Sequence, residues 1–151
     1  MLTSDDDGQR HERAITVVLT GNRPSPASLA GERHRLVAID GVLEELNQTW
    51  PTDLMPQMNV QWTKVFQWRG DGAMPEAERV RLRELVERAH QRGRKIRFWE
   101  APDQPRAWAE MLDAGVDLIN TDHLLAFRDF LRAHPGLYSQ NSSRLPSGSL
   151  K

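Results

Sequence analysis

Polar and aromatic residues follow two short apolar runs between positions 97 and 122. The first segment reads Arg97-Phe-Trp99-Glu-Ala-Pro-Asp103, and the second reads Gly115-Val-Asp-Leu-Ile-Asn120-Thr-Asp122. A guanidinium such as that of Arg97 can bind a phosphate through two parallel hydrogen bonds. Because parallel α/β folds build their sites at the carboxyl ends of strands, this pattern predicts a ligand site near these residues.

Other polar side chains stand where further strands are predicted to end. Asn22 and Arg23 follow one apolar run, and Asp40 follows another, directly before a glycine. Each has a structural alternative, which is an ordinary turn or cap for Asn22 and Arg23 and an Asx turn for Asp40. Lys64 lies in a tryptophan-rich stretch and could bind phosphate, although a lone loop lysine is usually solvated.

Arg97 also has a structural alternative. A buried arginine requires a partner, so it is expected to pair with Asp40 or Asp122 and to hold the strands together if it does not bind phosphate. Asp122 is expected to cap the final helix. That leaves Asn120 as the better polar contact for a ligand.

The five histidines do not form a recognisable acid–base pair. Each is expected to be a surface or capping residue, because they lie in the polar leader, before a strand, in the last turn of a helix, and on both sides of the final helix. These histidines are His11, His34, His90, His123 and His134.

The elements that would position these residues follow from apolar periodicity. Strands are predicted at 15–20, 36–39, 95–99 and 116–119, and helices at 75–92, 103–114 and 123–134. The stretch 46–72, rich in tryptophan and proline, is predicted as a long loop of the kind that often covers a site, with packing over a barrel end as the alternative. Residues 1–13 are expected to be a disordered leader, 14–134 the domain, and 135–151 a disordered tail.

Composition limits the classes of function. The chain has 151 residues with 20 basic and 21 acidic side chains, which gives no electrostatic argument for nucleic acid or an anionic membrane. The absence of cysteine excludes disulfides, zinc–thiolate sites and cysteine nucleophiles. No apolar run approaches the ~20 residues of a transmembrane helix. The first residues do not resemble a signal peptide, and the compartment is not assigned.

Apolar strands separated mostly by helices indicate parallel pairing with right-handed crossovers. Two architectures suit this pattern, an open doubly wound sheet and part of a (β/α)8 barrel. Arg97 and Trp99 alternate with Ile96 and Phe98, so one face of that strand carries a charge and an indole. A barrel lumen near its mouth tolerates such a face, whereas a sheet covered by helices on both sides does not. We therefore favour α/β architecture of the barrel type.

The order of motifs resembles the glycerophosphodiester phosphodiesterases of the phospholipase-C-like superfamily, in the branch related to the fungal altered inheritance of mitochondria protein 6. The resemblance covers roughly residues 14–133. The motifs that carry it are Thr20-Gly-Asn-Arg-Pro24, Ile39-Asp-Gly41, Leu54-Met-Pro56, Trp62-Thr-Lys64, Trp68-Arg-Gly70, Met74-Pro75, Arg97-Phe-Trp99 and Gly115-Val-Asp-x-Ile-x-Thr-Asp122.

The resemblance implies strands five to eight of a TIM barrel, whose complete form needs ~250 residues. It also implies cleavage of a phosphodiester small molecule or lipid headgroup by a histidine pair beside a divalent cation, Ca²⁺ or Mg²⁺. In the superfamily that pair and the acidic ligands lie on the first strands, and no His-Asn or His-Arg strand end followed by Glu-x-Asp occurs here. Trp99 matches the tryptophan that borders the substrate pocket, with a core aromatic as the alternative.

Three readings of the whole chain remain open. In the first, the chain is the C-terminal half of a phosphodiesterase that lacks the catalytic half and is inactive alone. In the second, it is a non-catalytic half-barrel that self-associates or pairs with a separate N-terminal half, because exposed sheet edges need cover. In the third, it is an independent doubly wound sheet that binds an anion at helix N-termini.

Overall fold

The fold is α/β, with one parallel and one small antiparallel sheet. The computed structural model describes residues 2–137. Its elements in chain order are β1 (Ser4–Asp6), β2 (Gln9–His11), β3 (Val17–Leu19), α1 (Pro26–Ala30), β4 (His34–Arg35), β5 (Val37–Gly41), a 3-10 turn (Leu43–Glu45), β6 (Gln57–Gln61), α2 (Trp62–Val65), α3 (Glu76–Gln91), β7 (Lys95–Trp99), α4 (Pro105–Ala114), β8 (Leu118–Ile119) and α5 (Leu124–Ala133).

The larger sheet has the strand order β3-β5-β6-β7-β8. The pairs β3/β5, β5/β6 and β7/β8 are parallel, with Val18 opposite Ala38 and Arg97 opposite Leu118. A parallel sheet of this order, with helices between its strands, is consistent with part of a TIM barrel. The expected α/β class is therefore confirmed.

The expected number of strands is wrong, because the sheet contains β6, which lies inside the predicted long loop. Gln57–Gln61 alternates half-buried polar positions with the buried Met58 and Val60. It contains two glutamines and an asparagine, so it does not form the apolar run by which the other strands are predicted.

The short helix α1 was not expected either. It begins at Pro26, and the Ser25 side chain accepts a hydrogen bond from the Ser28 amide.

The expected disordered leader at 1–13 is wrong for residues 4–11, which form β1 and β2. The strand β1 pairs in antiparallel fashion with β2 and with β4. The buried Arg35 guanidinium lies 3.1 Å from Asp5 and also bonds Asp53, so this polar segment gains ion pairs in place of apolar burial. The expected disordered tail lies, from residue 138 onward, outside the described residues.

The described residues divide into two compact units, 2–60 with 88–96 and 61–87 with 97–137. In the first unit, Ile39, Met55 and Met58 have no exposed surface. Gly41, the last residue of β5, permits this packing, because a Cβ atom there would lie 2.6 Å from Met55 Sδ and from Met58 Cε.

The core of the second unit is aromatic. The Trp62 ring packs edge-on against Phe98 at 5.7 Å between centroids, and Trp108 packs in the same way against Phe127 at 5.2 Å. The indole N–H of Trp62 donates to the Trp68 carbonyl at 3.0 Å. Trp62 and Trp68, which lie in the predicted loop 46–72, are therefore packed in the core and do not cover a site.

Candidate functional site

A buried polar cluster in the first unit joins the segments at and after β3 and β5 with β6. The Asp40 side chain is almost completely buried, and the Asn59 amide donates to its Oδ2 atom at 2.9 Å and to the Thr20 hydroxyl at 3.2 Å. The Arg23 Nε atom lies 3.4 Å from Asp40 Oδ1, and its Nη2 atom donates to Glu45. One guanidinium thus faces two carboxylates, and Asp40 is a buried cluster member and not an exposed turn residue.

The turn that carries Glu45 is fixed from two directions. Glu45 Oε2 accepts a hydrogen bond from the Val42 amide at 3.0 Å, in the arrangement of a capping glutamate. The buried Arg94 donates to the backbone carbonyls of Gln48 at 2.9 Å and Trp50 at 2.8 Å. Burial lowers the pKa of Arg94, but these carbonyls supply the acceptors that a buried guanidinium requires.

Sequence reasoning missed the contributions of Glu45, Asn59 and Arg94. Glu45 takes the N3 position of a capping arrangement, but the N-cap residue Val42 has no side-chain acceptor, so the sequence signature of a capping box is incomplete. Asn59 becomes a candidate only after β6 is recognised. Arg94 precedes a strand and contacts mainly backbone carbonyls, so its role has no pattern in the sequence.

In the second unit, Arg97 on β7 and Asn120 after β8 are brought together. The half-buried Arg97 donates from Nη2 to the Asn120 side-chain oxygen. The expected pairing with Asp40 or Asp122 is wrong, since the partner of Arg97 is the amide side chain of Asn120 and Asp40 pairs with Arg23. Because Asn120 is neutral, the contact orients the guanidinium without cancelling its positive charge. A guanidinium held in this way is suited to bind an anion.

Asp103 connects the turns that follow β7 and β8. It accepts hydrogen bonds from the Trp108 indole at 2.9 Å and from the Asp122 amide at 2.7 Å. Burial acts to raise the pKa of the Asp103 carboxyl, but hydrogen bonds, including one from Thr121, outweigh it and lower that pKa. The expected cap by Asp122 is wrong, because His123 is the N-cap residue of α5 and makes no side-chain cap.

Glu100, directly after β7, was not predicted as a site residue. Its backbone has a φ of 54°, which is the left-handed region that glutamate rarely adopts. The carboxylate accepts hydrogen bonds at Oε2 from Gln61 at 2.7 Å and from Thr63 at 2.9 Å. These bonds lower the pKa of Glu100 and favour its charged form.

The remaining predicted residues differ in their surroundings. Trp99 is half-buried at the end of β7, so it is neither a fully enclosed core aromatic nor an exposed one. Lys64 is exposed and lies in α2 instead of a loop. Asn22 is exposed in the turn after β3. For these three residues a contact with substrate stays a prediction.

The residues of the described segment 2–137 do not fit the divalent cation that the resemblance implies. Within that segment, no group of three or more acidic or histidine side chains is placed to hold a metal ion. The Asp40 cluster contains only two carboxylates, and both face Arg23. We therefore derive no step through a cation.

Comparison with known proteins finds a family match over part of the chain and one similar protein. Residues 95–124, which carry Arg97, Glu100, Asp103 and Asn120, match the glycerophosphoryl diester phosphodiesterase family. Over this segment the chain is similar to the glycerophosphodiester phosphodiesterase-like superfamily. It is also 29% identical over 152 residues to altered inheritance of mitochondria protein 6 of Eremothecium gossypii, an alignment that covers 83% of the chain.

The chain spans 37% of the length of that curated relative. No solved structure matches the chain significantly. Within residues 2–137, no helix has the length and apolar character needed to cross a membrane.

Proposed function

We propose that the chain forms the C-terminal strands of a phosphoric diester hydrolase barrel and supplies groups that bind and orient a phosphodiester. The observation that carries this proposal is the Arg97–Asn120 pair, which lies within the family match 95–124. Arg97 would bind a non-bridging phosphate oxygen, and Asn120 would hold the guanidinium in place. Trp99 would border the pocket.

The acid–base centre is assigned elsewhere in this proposal. Phosphodiester cleavage by the superfamily mechanism requires two positioned proton-transfer groups. Among the described histidines, His11 and His34 lie in the antiparallel sheet and His90 lies in α3. His123 is an exposed residue at the N-terminus of α5, and His134 stacks on Phe130 at 4.5 Å between ring centroids. These placements support an orienting role for the chain instead of a reacting one.

Calorimetric titration of the chain with glycerophosphoethanolamine tests the binding claim. Arg97→Ala should weaken binding about tenfold or more, the effect of losing a charge-assisted hydrogen bond to phosphate. Arg106→Ala is the matched control, because Arg106 is an exposed arginine of α4. Equal affinities of both variants and the unchanged chain would contradict the assignment.

The second candidate function is a non-catalytic half-barrel that self-associates. The observation that favours it is the sheet order, in which β3 and β8 are the outermost strands. Unpaired strand edges bind other strands readily. Light scattering should then report a dimer or larger particle, whereas a folded monomer at high concentration would contradict this second candidate.

A further inference from the structure

Glu100 combines an unfavourable backbone conformation with a fixed carboxylate. A non-glycine residue in the left-handed region costs free energy, and such residues persist where neighbouring contacts hold them. Here Gln61 and Thr63 hold the side chain through two hydrogen bonds. Residues held in this way are concentrated at ligand sites, so Glu100 is a candidate for contact with a ligand.

The carboxylate remains available to a ligand. Glu100 is exposed, and the two hydrogen bonds end on Oε2, so they do not use Oε1. Those bonds and the attraction of Arg69 lower the pKa of Glu100, which keeps the group negatively charged in neutral solution. Its position thus offers a fixed negative charge and an acceptor oxygen.

Glu100 lies three residues after Arg97, one position past the end of β7, and its hydrogen bond from Gln61 places it beside the half-buried polar positions of β6. A guanidinium at one position and a carboxylate at the other match a ligand with an anionic phosphate and a donor group some atoms away. A second phosphate near Glu100 would be repelled.

We propose that Glu100 determines specificity at the phosphodiester site. It favours an alcohol moiety that carries an ammonium or hydroxyl donor, and it disfavours one that carries a further phosphate. This inference rests on the proposed function, since it takes Arg97 as the phosphate-binding group. It goes beyond that function by assigning selection among phosphodiesters to a residue outside the acid–base chemistry.

The test is calorimetric titration of the chain and its Glu100→Gln variant with three probes. Glycerophosphoethanolamine carries an ammonium, dimethyl phosphate carries no donor, and glycerophosphoinositol 4-phosphate carries a second phosphate. In the variant, we expect binding of the first to weaken about three- to fivefold, the range of an exposed ion pair. Binding of the second should stay unchanged, and binding of the third should strengthen about twofold.

The control is Glu84→Gln, which neutralises an exposed glutamate of α3 and should leave all three affinities unchanged. Glu100→Asn is a second variant, because asparagine adopts the left-handed region more readily than other non-glycine residues. Equal weakening of all probes would show a structural role and overturn the proposal, as would three unchanged affinities. If the unchanged chain binds none of the probes, both the proposed function and this inference are overturned.

Discussion

At the scale of single residues, Glu45 links local structure to the buried cluster. Its carboxylate accepts from the Val42 amide and from Arg23, whose Nε atom in turn lies 3.4 Å from Asp40. The side chains of Arg23 and Glu45 are only 10% and 14% exposed, so water screens this pair weakly. The orientation of Asp40 therefore depends on a residue of the following turn.

Neutralising Glu45 should measure this dependence. Glu45→Gln keeps the shape of the side chain but removes its charge, and we expect the free energy of unfolding to fall by about 1–2 kcal/mol. Glu44→Gln, the adjacent exposed residue, should change it by less than about 0.5 kcal/mol. Urea unfolding of both variants gives the comparison, and equal stabilities would contradict the role assigned to Glu45.

At the scale of elements, the packing at the end of β5 requires a glycine at position 41. A Cβ atom at position 41 would lie 2.6 Å from Met55 Sδ and Met58 Cε, and neither methionine has exposed surface into which it can move. Gly41→Ala should therefore lower the free energy of unfolding by about 1–3 kcal/mol, as overpacking does.

The control for this substitution is Gly31→Ala. At position 31 the backbone has a φ of −80°, and a Cβ atom would lie 3.6 Å from the Ser28 carbonyl oxygen, an ordinary contact. Its free energy of unfolding should change by no more than about 0.5 kcal/mol. If Gly41→Ala is equally well tolerated in denaturant unfolding, the described packing of β5 is wrong.

The antiparallel sheet contains a pH-dependent contact. His34 Nδ1 lies 2.9 Å from Asp6 Oδ1, and this contact raises the pKa of His34 and lowers the pKa of Asp6. The stabilisation by His34 is complete below its ordinary pKa of 6.5 and is lost as the pH rises through the higher folded value. The stabilisation by Asp6 is complete above 3.8 and is lost as the pH falls through the lower folded value.

The pair should consequently contribute most between about pH 4 and pH 6.5. An NMR titration should give His34 a midpoint above 6.5, and Asp6→Asn should return that midpoint towards its ordinary value. A midpoint at or below 6.5 in the unchanged chain would contradict the contact.

The sequence predicts best those elements whose patterns are local. The helix α3 begins directly after Pro75, and β7 spans the predicted residues 95–99, because a proline start and an apolar run are visible in the chain itself. The strand β6 is not predicted because only apolar runs are taken as strands, although the alternation of polar and apolar residues over Gln57–Gln61 is itself the pattern of a half-buried strand. The hairpin of β1 and β2 has a local signal in Asp7-Gly8, a two-residue turn with positive φ at both positions, but its strands are polar and are therefore not predicted.

In the candidate site, too, features visible locally in the sequence are predicted, and features that depend on distant residues are not. Arg97 and Asn120 are predictable as polar residues at the ends of strands, and the structure places them in contact. Their pairing with each other, in place of Asp122, depends on the register of β7 and β8, which the sequence does not specify. The conformation of Glu100 is equally hidden, because glutamate has no preference for the left-handed region.

At the scale of the whole molecule, the parallel sheet is consistent with part of a TIM barrel, and the binding function of the second unit is a proposal that starts from the family match 95–124. The chain covers 37% of its curated relative, so the reaction of a complete enzyme remains a proposal. We predict no measurable hydrolysis of bis(4-nitrophenyl) phosphate by this chain alone, with or without Ca²⁺ or Mg²⁺, because two proton-transfer groups are required. Metal-dependent turnover that survives rigorous purification would contradict this prediction.

Binding of a phosphodiester by the second unit is tested most directly by an NMR map of the residues that respond to the ligand. Backbone amide shifts of the ¹⁵N-labelled chain would be recorded during titration with glycerophosphoethanolamine. We expect saturable shifts centred on Arg97, Glu100 and Asn120, which disappear in Arg97→Ala and persist in Arg106→Ala. Shifts confined to other parts of the chain, or no saturable shifts at all, would contradict this expectation.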